Sequence, residues 1–304
     1  MKHAFLMMAH KQPELIERII ERLEAPNHYI YIHYDLKGTD FDKIEAICKT
    51  HQNMFLLERK NVRWGMFSQT LCEIEGFRAM ILSDNHYDYY HLISGQDYPC
   101  VKVETFDSFF EDNNGKSFMK LDSDEETVEY RKNKFPYRLE KWYLNDKLDV
   151  SLCGVKLYKL ANRLSKIIPR PYSTMDSIWG WNWFSVTYNV LEYCMNYLNV
   201  HTEYLKRFKH TLSSDELIFS TIIKPVASEL NVELNNALRF VEWHPKRETK
   251  ALPLLLNENE FDDVMNSGAF FCRKVQLPES EKLMDMIDKK VEIDKTTKRR
   301  SKTL

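Results

Sequence analysis

Tyr89-Tyr90-His91-Leu92-Ile93-Ser94-Gly95-Gln96-Asp97-Tyr98-Pro99 is an aromatic and apolar run that breaks off into small and acidic residues. Residues Tyr87 to Ile93 read as a buried strand. Ser94 to Asp97 then form the loop at its C-terminal end, where open α/β sheets place their ligands. Upstream, Met1 to His10 read as a first core strand, and Pro13 to Leu23 as a helix with Leu15, Ile16, Ile19, Ile20 and Leu23 at helical spacing. Tyr29 to His33 is a second strand, Phe41 to Thr50 a second helix, Met54 to Leu57 a third strand and Gln69 to Leu82 a long amphipathic helix. This β-α-β order implies a parallel sheet with right-handed crossovers. With a short helix over Val103 to Glu111, a nucleotide-binding half is complete by about residue 112.

Beyond residue 112 the texture changes to aromatics and irregular linkers such as Pro169-Arg170-Pro171, as suits the acceptor side of the same fold. Asn182 to Ser185 reads as a strand, Thr187 to Leu198 as a helix, and Asp215 to Ile223 as a helix starting at Ser214 or Asp215. Ser213 and Ser214 are N-cap candidates, and Asp215 and Glu216 put two carboxylates in the first turn, where the helix dipole favours negative charge.

The chain has 304 residues and a formal charge of −2, so nothing global recommends a nucleic-acid partner. The basic end from Lys289 to Leu304 reads as a solvated tail, or as a weak contact with anionic lipid or a lipid-linked substrate. Cys48, Cys72, Cys100, Cys153, Cys194 and Cys272 contain no CxxC, which suits a reducing compartment. No run approaches the roughly twenty apolar residues of a membrane span. Neither GxGxxG nor GxxxxGK[ST] nor GxSxG occurs, which argues against dinucleotide enzymes, P-loop NTPases and α/β-hydrolases. The HxD of His33 and Asp35 and the DxD of Asp122 and Asp124 could hold magnesium or manganese, although the acidic run Asp122 to Glu126 equally suits a solvated turn.

Six segments in order are similar to the core-2/I-branching enzymes, glycosyltransferase family 14, which also includes peptide O-xylosyltransferases. They are His33-Tyr34-Asp35-Leu36-Lys37, Val62-Arg63-Trp64-Gly65 with Ser68, Leu92 to Pro99, Trp181 to Thr187, Ser214 to Thr221, and Phe270-Phe271-Cys272-Arg273-Lys274. The resemblance implies an α/β fold of the GT-A type, with a Rossmann-like half and a mixed central sheet. Its catalytic domain would span 1–275 (donor half 1–112, acceptor half 113–275), with a C-terminal helix and basic tail over 276–304. It further implies a UDP-sugar donor and inversion at the anomeric carbon. A single displacement needs one base to take the acceptor proton, and Glu216 matches the family's base.

Where most GT-A enzymes hold a metal, this chain has the loop Gly95-Gln96-Asp97 with one carboxylate. The resemblance therefore implies no metal and no cofactor, with Lys274, beside Arg273, meeting the diphosphate. A second cation is expected near Lys246 or Arg247. Asp35, Val62 and Trp64 match the donor side; Asp97 with Asp122 or Asp124 remains the metal-dependent alternative. Trp181, Trp183 and Trp243 suit an acceptor cleft because flat apolar rings match a pyranose face. Asp215 takes a supporting role on that side. Asn182 stands where the xylosyltransferases have an aspartate. The donor reads as UDP-GlcNAc, with UDP-xylose or a catalytically silent binding relative as alternatives. The acceptor reads as a glycan, free or lipid-linked, and the setting as a cytoplasmic bacterial enzyme of surface-polysaccharide synthesis, peripheral at the membrane.

Overall fold

In the computed structural model the described residues are 1–122, 138–144, 160, 163–165, 167–172, 177–249 and 252–301, with side chains of the last helix described to residue 291. The N-terminal part alternates strands and helices: β1 (His3–Ala9), α1 (Pro13–Leu23), β2 (His28–Tyr34), α2 (Phe41–Thr50), β3 (Met54–Leu56), α3 (Phe67–Ile81), β4 (Tyr89–Ser94), β5 (Tyr98–Pro99) and α4 (Val103–Asp112). After β6 (Ser117–Phe118), the described elements are β7 (Ser185–Thr187), α5 (Tyr188–Val200), α6 (Thr202–Phe208), α7 (Ile218–Ile223), β8 (Val232–Glu233), β9 (Arg239–Val241), α8 (Phe261–Asn266), β10 (Phe271–Arg273) and α9 (Glu281–Ser301).

Seven strands form one sheet in the order β3-β2-β1-β4-β7-β6-β8, while β5, β10 and β9 form a small second sheet. The β3-β2-β1-β4 block is parallel, and β7 joins it antiparallel, pairing Tyr90 with Val186. The Rossmann-like half and the mixed central sheet expected from the sequence are both present.

β1 lies in the middle of the parallel block, and all seven of its residues are buried. Phe5, Met7 and Ala9 point into the core beneath α1, α2 and α4, whereas Ala4, Leu6 and Met8 point into the core beneath α3, α5 and α7. The two-residue period of a strand makes both faces apolar, so the sequence reads as one continuous hydrophobic run. In α1, Leu15, Ile16, Ile19, Ile20 and Leu23 are at most 2% exposed. At about 1.5–3 kcal/mol for each such side chain, this stripe and not intrinsic propensity holds the helix.

Arg239 stitches the two sheets together from inside the core. Its guanidinium donates to the Leu92 carbonyl (3.1 Å), the Phe184 carbonyl (3.1 Å), Ser185 Oγ (3.1 Å) and the Ala237 carbonyl. The C-terminal helix is more than an appendage to residues 1–275, because Leu283, Met284, Ile287 and Val291 are buried in the core that contains α1. Arg18 of α1 donates to Asp285 (2.7 Å) and Asp288 (2.8 Å), and Tyr98 Oη meets Asp288 at 2.7 Å. The membrane-facing reading of the basic tail falls mostly on residues 292–304, outside the described side chains. No helix of the described residues is long and apolar enough to cross a membrane, and Cys48, Cys72, Cys100, Cys194 and Cys272 are free thiols.

Two local expectations differ from the structure. Asn182 precedes β7 instead of opening it. The stretch expected as one capped helix from Ser214 is a 3-10 turn over Ser214–Glu216, followed after Leu217 by α7. Ser213 is left-handed (φ 51°) and makes no side-chain cap, because the polar groups of this turn are taken by α3. Ser214 Oγ bonds Thr70 Oγ1 (2.7 Å), and Asp215 Oδ2 accepts from Gln69 Nε2 (2.9 Å).

Candidate active site

The C-terminal ends of β1, β2 and β4 bring His10, Lys11, Asp35 and the Ser94–Asp97 loop to one edge of the sheet. Asp35 is buried; its N–H donates to the Ala9 carbonyl, and its carboxylate accepts from the Lys37 N–H (2.8 Å) and Nζ (3.0 Å). The same ammonium donates to Asn61 Oδ1 (3.1 Å) and to the Val62 carbonyl. Val62 is thereby fixed beside Asp35. Trp64 stands out from this loop, 85% exposed. Gly65 has φ 67°, a left-handed conformation that glycine adopts without steric cost, and its carbonyl accepts from the Ser213 N–H. The loop over Val62 to Gly65 therefore touches the turn that carries Glu216.

Gly95 is set by packing. A Cβ there would lie 3.2 Å from Ala9 Cβ and 3.4 Å from Ile16 Cγ1. Gln96 exchanges backbone contact with Val275, and its side-chain amide donates to the Val275 carbonyl (3.4 Å). Asp97 is fully buried and binds inward: its carboxylate accepts from the Ser94 N–H (2.7 Å) and from Arg273 Nη1 (2.8 Å). Its role in the structure is to orient Arg273, whose guanidinium also lies 4.3 Å from the Trp183 ring. Among the described residues, Asp97 and Asp122 form no metal-ligating group; Asp124 lies outside them.

Lys274 is half-buried, and its pKa is lowered by burial and by the Arg273 and Lys11 cations, against an opposing pull from Asp97. Partial burial and the charges of Lys11, Lys274 and Lys37 likewise lower the His10 imidazole, while Asp35 raises it. Of these cations, Arg273 is paired with Asp97 and Lys37 with Asp35, whereas Lys11 and Lys274 repel each other and would be relieved by an added anion. Of the two residues expected to supply a second cation beyond β9, Arg247 donates to both oxygens of Glu260 (2.9 and 3.1 Å) and to the Leu255 carbonyl, and Lys246 is exposed. Lys11 stands nearer Lys274, with its Nζ held by Gln276 Oε1 (2.6 Å). Its position directly after β1 was the available sequence signal.

Glu216 is 27% exposed and takes Arg138 Nη1 on Oε2 at 2.7 Å. The Arg138 guanidinium also lies 4.2 Å from the Trp179 ring. The Glu216 carbonyl accepts from the Gly180 N–H, where a Cβ would collide with Ser220 Oγ. Behind Glu216 sits a buried cluster that the sequence reading missed. Glu73 Oε1 accepts from Asn182 Nδ2 (2.8 Å) and Gln69 Nε2 (3.3 Å), and Gln69 bridges to Asp215. Burial and the Asp215 charge push Glu73 well above the carboxylate range; burial and Glu216 push Asp215 up to about 7, partly offset by Arg138. Glu73 Oε2, Asn182 Oδ1 and Asp215 Oδ1 have no hydrogen-bond partner among the described residues. Glu73 was legible as a charge on the Thr70, Glu73, Ile74, Phe77 stripe of α3; Arg138 lies in no recognisable motif.

Trp181 lies under the Lys120 ammonium (4.7 Å), and Trp183 under Arg273. Trp243, two residues past β9, is 37% exposed. A run of contacts links these residues: Asp35 through Lys37 to Val62, Gly65 to Ser213, Ser213 to Glu216 and Glu216 to Gly180, while Trp183 meets Arg273 beside Lys274.

The family model of the Core-2/I-Branching enzyme matches residues 3–264. The chain belongs to the Core-2/I-branching enzyme family. It is 22% identical over 244 residues to the xylosyltransferase sqv-6 of Caenorhabditis elegans, covering 79% of this chain and 28% of that protein. It is also 22% identical over 253 residues to a zebrafish (Danio rerio) beta-1,3-galactosyl-O-glycosyl-glycoprotein beta-1,6-N-acetylglucosaminyltransferase 4 (79% and 56% covered). An Arabidopsis thaliana beta-glucuronosyltransferase, GlcAT14C, is 19% identical over 292 residues (90% and 69%). The chain thus spans about a quarter to just over half the length of the first two relatives. The crystal structure of apo mouse xyloside xylosyltransferase 1 aligns over 90% of this chain and 97% of that one at 8% identity, with a TM-score of 0.38.

Proposed function

We propose that this member of a glycosyltransferase family transfers a sugar from a UDP-sugar to a glycan hydroxyl with inversion, and that Glu216 is the base. The observation that carries this reading is the partly exposed Glu216, held by Arg138 and joined through the Ser213–Gly65 bond to the loop that Lys37 fixes beside Asp35, at the strand ends that also carry Lys11, Arg273 and Lys274. An inverting displacement needs both and little else: a carboxylate to accept the acceptor proton as the new bond forms, and positive charge for the departing diphosphate. Arg138 orients Glu216 by a charge-assisted hydrogen bond. Burial raises Asp215 and Glu73, which reduces the negative charge behind the base on the acid side of neutrality.

Lys274, Lys11 and Arg273 are the leaving-group cations in this scheme. Asp97 and Trp183 both hold Arg273, and Asp35 with Val62 and Trp64 lines the nucleotide end. Trp181 and Trp183 supply the acceptor platform. The donor is UDP-GlcNAc, with UDP-xylose and UDP-glucuronate as the variants suggested by the relatives' names; the diphosphate is met by side chains, without a metal. The acceptor is a glycan of surface-polysaccharide type, and the reaction runs in the cytoplasm against a membrane-borne acceptor.

A panel of UDP-sugars scored by thermal shift and by slow donor hydrolysis, with and without EDTA, tests the proposal. A ligand that binds only the folded state must raise its stability. A shift by one UDP-sugar that persists in EDTA is the expected result. No shift with any of them would sink the transferase reading, and a shift lost in EDTA would sink its metal-free form.

A further inference from the structure

Leu160, Leu164, Ile167 and Ile168 are 52, 53, 73 and 61% exposed. Leu160 and residues 163–165 are helical, Ile167 lies in the turn that follows and Ile168 in a bend, and in sequence the four keep the i, i+4, i+7, i+8 spacing of an apolar stripe. Such a stripe normally faces a core; here it faces outward. The surrounding sequence supplies Lys156, Lys159, Arg163 and Lys166, with no Asp or Glu between Ser151 and Thr174; Arg163 is exposed.

The stripe is tied to the active site. Arg170 is buried; it stacks 5.1 Å from the Trp142 ring and donates to Thr211 Oγ1 (3.0 Å) and to the carbonyls of Arg207 (2.8 Å) and Lys209 (2.7 Å). Ser165 Oγ donates to the Trp142 carbonyl (3.1 Å), and the Arg170 N–H to that of Glu140 (2.9 Å). Leu139 is fully buried next to Arg138, the partner of Glu216. The stripe therefore has a fixed position relative to the base, on the side of the cleft assigned to the acceptor.

We propose that Leu160, Leu164, Ile167 and Ile168, with Arg163 beside them, form a docking face for an anionic lipid bilayer. An exposed apolar face in a segment of purely positive charge fits the interface of such a membrane: the aliphatic side chains enter the headgroup boundary, and the cations meet lipid phosphate. The acceptor side of the enzyme is thereby seated on the surface from which a lipid-linked glycan is presented. This last step rests on the proposed function; the docking itself does not.

The test uses the full chain and sedimentation with vesicles of phosphatidylcholine containing phosphatidylglycerol, and of phosphatidylcholine alone. The wild type sediments with the anionic vesicles. The Ile167→Glu/Ile168→Glu double variant loses at least about tenfold in partitioning, while its melting temperature and its stabilisation by UDP are unchanged, since both side chains already face solvent. Deleting residues 292–304 leaves most of the binding in place. Three results would overturn the proposal: failure of the wild type to bind anionic vesicles, undiminished binding by the double variant, or loss of all binding on deletion of the tail. Equal binding to phosphatidylcholine alone would overturn the anionic assignment. Self-association that the double variant abolishes would reassign the face to a second copy of the chain. Vesicle binding without UDP-sugar turnover would count against the transferase reading and leave the docking face standing.

Discussion

Replacing Asp215 with asparagine should remove a pH dependence of stability without disturbing the fold. In the folded chain Asp215 is buried beside Glu73 and Glu216 and holds its proton up to about 7, against about 3.8 for a solvated aspartate. Between those values the folded state binds more protons than the unfolded chain. Stability from this group is therefore complete below the unfolded value and is lost as pH rises through about 7. A displacement of about three pH units, at about 1.4 kcal/mol each, sets an upper limit of about 4 kcal/mol. The partner carboxyls share the same protons, so about 2–4 kcal/mol is the working range. An amide at this position keeps an acceptor for Gln69 and has no proton to lose. Urea denaturation of both proteins at several pH values from about 4.5 to about 8 measures the difference, and the variant should gain on the wild type as pH rises. Parallel stability curves would show that Asp215 ionises normally, and the description of a dry cluster behind Glu216 would then be wrong.

Glu216→Gln should retain UDP-induced stabilisation and lose about two to four orders of magnitude in turnover; near-wild-type turnover would remove it from the role of base. Lys274→Ala should weaken UDP, measured by calorimetry, by about tenfold or more and affect acceptor KM much less, because charge-assisted bonds to phosphate each contribute about 1.5–3 kcal/mol. Unchanged UDP affinity would move the leaving-group cation elsewhere. Gly95→Ala should lower stability by about 1–3 kcal/mol in thermal or urea melts, since the added methyl meets Ala9 at 3.2 Å and Ile16 at 3.4 Å; a neutral result would mean that β1 and the loop can separate freely.

The parallel half was legible because its signals are local. Period-two burial in β1, the apolar stripe of α1 and the loop after β4 each declare themselves within a dozen residues, and their boundaries fall within about two residues of expectation. The turn over Ser214–Glu216 was misread for the opposite reason. Its capping side chains bond to Thr70 and Gln69, which lie 144 and 146 positions away, so local capping chemistry could not reveal their partners. Asp97 likewise looked like a ligand-facing carboxylate and proves to be a support for Arg273, 176 positions later. Glu216, Lys274 and Trp183 were proposed from motif order, whereas Arg138 and Lys11 come into view only when the chain is folded around them.

The bond between Arg18 and Asp288 spans 270 positions, and this separation has a consequence for synthesis on the ribosome. The core that α1 enters stays incomplete until Leu283, Met284 and Ile287 have emerged, so the nascent chain carries an open greasy seam up to that point. A message truncated before Glu281 would yield a product with that seam permanently uncovered. Chaperone holding of the unfinished chain, and rapid clearance of products that lack the final helix, are what such an arrangement demands of the cell that makes it.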